Sequence, residues 1–104
     1  MTARGWSIWT TKGQNNSDKL AEEIWKVAKS KLTKIPVRQD VSDGDHDYES
    51  NFYIIKYSNC PSVLVEHFFH DNKEDLRWGT SEEGINTLVD IDKQGIINYL
   101  NKKK

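Results

Sequence analysis

Three histidines, one cysteine and sixteen acidic side chains are the groups in this sequence able to hold a metal or move a proton. One of them stands out by its setting. Ser62-Val63-Leu64-Val65-Glu66 is apolar on both faces and ends on a carboxylate. Such a run reads as an interior strand covered on both sides. Open α/β sheets bind ligands at the carboxyl ends of their strands, which is where Glu66 falls. Burial raises the pKa of a carboxyl group, and a raised pKa suits a general base working on a metal-bound water. The plainer alternative is a strand-end glutamate paired with a lysine or capping a helix, because ion-pair networks also place carboxylates there.

The other candidates carry less. His67 and His70 form a His-x-x-His pair beside Glu66. That spacing binds zinc only when a third ligand closes the set, and neither a Cys pair nor a His-Glu-x-x-His motif is present. Neighbours on a strand alternate faces, so His67 points away from Glu66 if the strand continues. Asp43, Asp45 and Asp47 alternate like the opening of a calcium loop. The glycine and terminal glutamate that complete such a loop are missing, and a solvated loop is the better reading. Cys60 has no basic neighbour to lower its pKa, so it reads as inert. No glycine-rich phosphate loop or nucleophile elbow occurs.

The elements that must position these groups follow from periodicity. Gly5-Trp6-Ser7-Ile8-Trp9-Thr10-Thr11 alternates aromatic and β-branched residues and reads as a strand. Trp6 and Ile8 share one face; Trp9 and Thr11 share the other. A helix is expected from about Ser17 to Leu32, capped by Asn16 or Ser17. Its apolar stripe is Leu20, Ala21, Ile24, Val27, Ala28 and Leu32, flanked by Trp25. Asp18, Glu22 and Glu23 come early and Lys26, Lys29, Lys31 and Lys34 late, which suits the helix dipole. Pro36 ends that region, and residues 40–49 read as a polar acidic loop. Phe52-Tyr53-Ile54-Ile55-Lys56-Tyr57 reads as a short strand, with a turn at Asn59-Cys60-Pro61 before the Glu66 strand.

Two helices close the chain. Asp71 and Glu74 have capping-box spacing for a short helix ending near Gly79, and Thr80 and Glu83 repeat it for a helix to about Leu100. The expected stripe of that last helix is Ile85, Leu88, Val89, Ile96 and Tyr99. Asp92 falls on it and reads as a rim position. Strand, helix, strand, strand, helix, helix describes an α/β fold: part of a mixed or parallel sheet flanked by helices.

The totals set limits. With 104 residues and 12.1 kDa, the chain is one domain at most and buries only about 60–65% of its unfolded surface. A net charge of −1 and a pI near 6.3 give no basic face for nucleic acid. The charge run Lys102-Lys103-Lys104 extends the last helix and complements its dipole. One cysteine allows no internal disulfide. No apolar run approaches the ~18 residues of a membrane span, and Met1 to Gly5 lacks the apolar core of a signal peptide.

Three stretches together carry a family resemblance. Asn59-Cys60-Pro61-Ser62-Val63-Leu64-Val65-Glu66-His67-Phe68-Phe69-His70-Asp71-Asn72 resembles the proline, apolar strand, glutamate, aromatic, asparagine block of zinc-dependent N-acetylmuramoyl-L-alanine amidases. Ala3-Arg4-Gly5-Trp6-Ser7-Ile8-Trp9 with Ser17-Asp18-Lys19-Leu20-Ala21 is similar to the segment after that family's last zinc histidine. Ser81-Glu82-Glu83-Gly84 and Gly95-Ile96-Ile97-Asn98-Tyr99-Leu100 look like its closing helix. The resemblance implies a peptidoglycan hydrolase that cuts the amide between N-acetylmuramic acid and the L-alanine of the stem peptide. It implies a zinc ion held by two histidines and a glutamate, which polarises the carbonyl and activates water. It implies that Glu66 is the catalytic acid and base, and that the protein works in the cell envelope or outside the cell.

The sequence also departs from the family. The Asp-Pro-Gly-His block, the zinc glutamate after it and the Ser-x-His-x-Asn block have no counterpart in residues 1–104. These residues therefore match the C-terminal half of an amidase domain, as a single partial domain without the zinc ligands. His46, His67 and His70 match none of the ligand positions. The expectation is no cleavage by residues 1–104 alone, and an exposed sheet edge open to homodimerisation or strand exchange. The alternative reading is a non-catalytic module that binds peptidoglycan or a partner protein.

Overall fold

The computed structural model describes residues 5–10, 16–33, 35–38, 48–49, 60–67 and 72–102. The elements are β1 (Ser7–Thr10), α1 (Asn16–Lys31), β2 (Tyr48–Glu49), β3 (Leu64–Glu66), α2 (Lys73–Gly79) and α3 (Glu82–Lys102). The expected strand at 52–57, the loop at 40–47 and the residues His46, His70 and Asp71 lie outside the described residues.

The three strands form one mixed sheet in the order β2-β1-β3. β1 runs parallel to β2 and antiparallel to β3, with Ser7 opposite Glu66, Ile8 opposite Val65 and Trp9 opposite Leu64. Just before β1, the Trp6 backbone N–H donates to the Pro36 carbonyl and its own carbonyl accepts from Arg38 N–H, both at 2.8 Å. That bridge brings the chain after α1 back alongside the sheet. β3 differs from expectation. It is partly rather than fully buried, and among the described residues it pairs on one side only, with β1. An apolar run shows what a strand could bury; its neighbours decide how much is covered.

α1 folds as its stripe demands. Ala21, Ile24, Trp25, Val27 and Ala28 are buried, and Leu32 is buried just beyond the helix end. The Trp25 indole N–H donates to the Arg38 carbonyl at 3.1 Å, so even the flanking aromatic is used. These side chains meet Trp6 and Ile8 from the sheet and Leu88 and Ile91 from α3 in one core cluster. Each fully buried side chain of this size contributes about 1.5–3 kcal/mol.

α3 packs antiparallel to α1, since Glu23 meets Lys102 while Lys31 meets Asp90. The side it buries is not the one its apolar pattern suggests. Gly84, Leu88, Ile91, Gly95 and Tyr99 face inward. Ile85, Val89 and Ile96, read as core, are 50%, 61% and 45% exposed, and Ile97 and Leu100 are exposed with them. The reason lies at Gly95. A Cβ there would sit 2.5 Å from Ile24 Cγ1 and 2.6 Å from Ile24 Cα. The helices touch backbone to side chain through a glycine, and hydrophobic periodicity gives a glycine no weight.

Both late helices are capped one residue later than expected. The Asn72 side chain accepts from Asp75 N–H at 3.0 Å, and Ser81 Oγ accepts from Gly84 N–H at 3.0 Å. Thr80, expected to open α3, instead closes α2 by donating its backbone N–H and its hydroxyl to the Leu76 carbonyl.

Candidate functional site

The strand register decides which way Glu66 points. Partners in an antiparallel pair share a face, and successive residues alternate. Ile8 and Val65 belong to the helix side, where Ile8 is fully buried and Val65 packs against the core. Ser7, Trp9, Leu64 and Glu66 therefore share the opposite face. The Trp9 indole confirms this, because its N–H donates to Ser7 Oγ at 3.0 Å. Glu66 is part-buried there, less than a covered strand end would be. Among the described residues no cation pairs with it.

His67 goes the other way. Its Nε2 lies 3.8 Å from Asp92 Oδ2 of α3, on the helix side. Glu66 and His67 thus diverge, as strand alternation requires. Asp92 is the rim position that its place in the pattern implied, with its side chain 38% exposed. Its Oδ1 atom is nonetheless buried, with no hydrogen-bond partner among the described residues.

The buried acids have structural work. Asp75 accepts from the Gly5 N–H at 2.9 Å and is completely buried. It ties α2 to the start of β1 at a glycine with φ +117°, a conformation that side chains resist. Asp18 accepts from the Thr10 hydroxyl at 2.9 Å and joins β1 to α1. Ser17 Oγ accepts from Ser62 N–H at 2.9 Å and anchors the approach to β3. Glu23 receives Lys102 at 2.8 Å and Lys26 at 3.5 Å. Burial pushes the Glu23 pKa up, but the two ammonium groups outweigh it and hold the carboxyl below its ordinary value. None of these contacts was signalled by the sequence, since most join groups far apart in the chain.

The same geometry bears on metal binding. Among the described residues no three His, Cys, Asp or Glu side chains gather where they could hold an ion. Glu66 and His67 lie on opposite faces of the strand, and Cys60 is exposed. The described residues do not fit a zinc cage. What they offer is a part-buried carboxylate at a strand end, on the side of the sheet opposite the α1 and α3 core. Among the described residues no helix is long and apolar enough to cross a membrane.

The fold is shared with known proteins. The amidase of Clostridium difficile 630 superposes with a TM-score of 0.84 at 26% identity, over 99% of this chain and 52% of that one. AmiC2 of Nostoc punctiforme, also an N-acetylmuramoyl-L-alanine amidase, gives 0.79 at 23% identity, over 94% of this chain and 49% of that one. The CwlD amidase of Clostridioides difficile, solved in complex with the GerS lipoprotein, gives 0.78 at 23% identity, over 95% and 47%. No curated protein sequence matches. The chain spans about half the length of the solved structures it resembles. The family profile described as N-acetylmuramoyl-L-alanine amidase matches residues 1–98, and with that span covered the chain belongs to this zinc-dependent amidase family.

Proposed function

We propose that this chain is the part of a peptidoglycan amidase that supplies the general base, Glu66. The substrate bond is the amide between N-acetylmuramic acid and the L-alanine of the stem peptide, and the site of action is the cell envelope or its exterior. The observation that carries this reading is the position of Glu66. It ends β3 on the face turned away from α1 and α3, in a chain matched by the amidase profile through residue 98.

A carboxylate so placed takes a proton from the attacking water and returns it to the departing amine, a role contributing typically about 10²–10⁴-fold. α1, α3 and the hydrogen bonds of Asp75, Asp18 and Ser17 hold the strand that presents it. Zinc is a property of the family, and the described residues do not fit it. On this reading residues 1–104 alone do not cleave.

The test joins residues 1–104 to the complementary half of the Clostridium difficile 630 amidase. The restored domain is expected to release stem peptide from muropeptides. Glu66→Gln is expected to lower kcat about 10²–10⁴-fold, with zinc content and melting temperature unchanged. A folded, zinc-loaded domain that releases no stem peptide contradicts the reading. So does one whose rate survives Glu66→Gln.

A further inference from the structure

The face that carries Glu66 also carries a large aromatic ring. Trp9 sits one strand over, opposite Leu64, while Ser7 sits opposite Glu66 itself. The Trp9 indole N–H donates to Ser7 Oγ at 3.0 Å. The ring therefore lies back along β1 toward Ser7, and so toward the Glu66 position. Ser7 is fully buried although it faces away from the helix layer. The hydrogen bond fixes one edge of the indole, and the residue remains only part-buried. Of the chain's other tryptophans, Trp6 and Trp25 are buried in the core and Trp78 packs against it.

We propose that Trp9 is the aromatic wall of a sugar subsite beside Glu66, taking a hexosamine ring of the glycan strand. The proposal deepens the amidase reading and rests on it. The indole face carries the negative lobe of its quadrupole, and a pyranose offers a row of polarised C–H groups from its flatter side. A ring held by Ser7 loses little freedom on binding, which favours affinity. Binding sites of this kind combine an aromatic surface with a few placed polar groups. A sugar stacked on Trp9 would lie beside the strand end where Glu66 meets the scissile amide.

The experiment titrates the intact chain with a chito-oligosaccharide, which carries hexosamine rings but no peptide, and separately with a free stem peptide. Binding is read from the tryptophan indole signals in nitrogen-15 NMR, Trp9 being identified by the signal lost in Trp9→Phe. The oligosaccharide is expected to shift the Trp9 signal. Trp9→Ala is expected to weaken its binding about threefold to tenfold, while Trp9→Phe stays close to the parent chain. The titration of the parent chain needs no variant, so the proposal stays testable even if Trp9→Ala fails to fold. Three results would overturn it: no oligosaccharide binding, unchanged affinity in a folded Trp9→Ala, or a Trp9 signal moved by the peptide alone. None of these touches the amidase reading, which stands or falls on Glu66→Gln in the restored domain.

Discussion

On one side of the sheet, Trp6 and Ile8 are completely buried beneath α1 and α3; on the other, Ser7 is buried too, but Trp9, Leu64 and Glu66 remain part-buried. The first side is closed by close packing: Ile24 against Gly95, Leu88 and Ile91 in the common cluster, and ion pairs between the two helices. The second keeps Trp9, Leu64 and Glu66 only part-buried, with the Trp9 indole N–H donating to the buried Ser7 Oγ. Stability therefore belongs to the helix layer, and the proposed chemistry of Glu66 to the opposite face. The two are joined through a single strand, so substitutions should separate them.

The largest effect should come from the layer's centre. Ile91→Ala removes a fully buried side chain and is expected to cost about 2–5 kcal/mol, measured by urea denaturation. Gly95→Val drives a side chain into Ile24 and should cost about 1–3 kcal/mol, or more if α1 and α3 cannot separate. Asp75→Ala leaves the Gly5 N–H buried without its acceptor and should cost about 1–3 kcal/mol. If these three leave the midpoint unmoved, the helix layer is not where stability lies.

A smaller effect depends on pH. The folded-state pKa of Glu23 lies below its ordinary 4.5. Its contribution is therefore complete above the unfolded value and is lost as pH falls through the folded one. Lys102 is shifted the other way, above 10.5, by the Glu23 hydrogen bond and charge. Its contribution is present below 10.5 and is lost as pH rises through the folded value. Glu23→Gln should flatten both ends of the stability–pH curve. A curve unchanged by that substitution would break the pairing of Glu23 with Lys102.

The smallest effects should come from open positions. Val89→Lys lies on the exposed side of α3 and is expected to change stability by no more than about 0.5 kcal/mol. Glu66→Gln should be equally mild for folding, whatever it does to catalysis. A large loss from either would mean that the outer surface is covered in the free chain.

Particular residues show what could be read in advance. α1 was legible because a long stripe with ordered charges has only one good way to fold. The divergence of Glu66 and His67 was legible because alternation along a strand is fixed by geometry. The existence of α3 was legible, but its inner face was not. Gly84 and Gly95 mark that face by having no side chain, while Ile85, Val89 and Ile96 attract every periodicity argument. Asp75 was illegible for another reason: its partner Gly5 is 70 residues away, and no local pattern announces such a bond. The same holds for the Trp9 ring, whose direction is set by Ser7 and shows only once the strand is built.

On the function proposed above, these residues provide the carboxylate of an amidase but not its metal. The measurement that tests this most directly is zinc calorimetry on purified residues 1–104, with mass spectrometry of muropeptides incubated with the same sample. The expected result is no stoichiometric zinc and no released stem peptide. One zinc per chain together with stem-peptide release would contradict it, and His46, His67 and His70 would become the first residues to substitute.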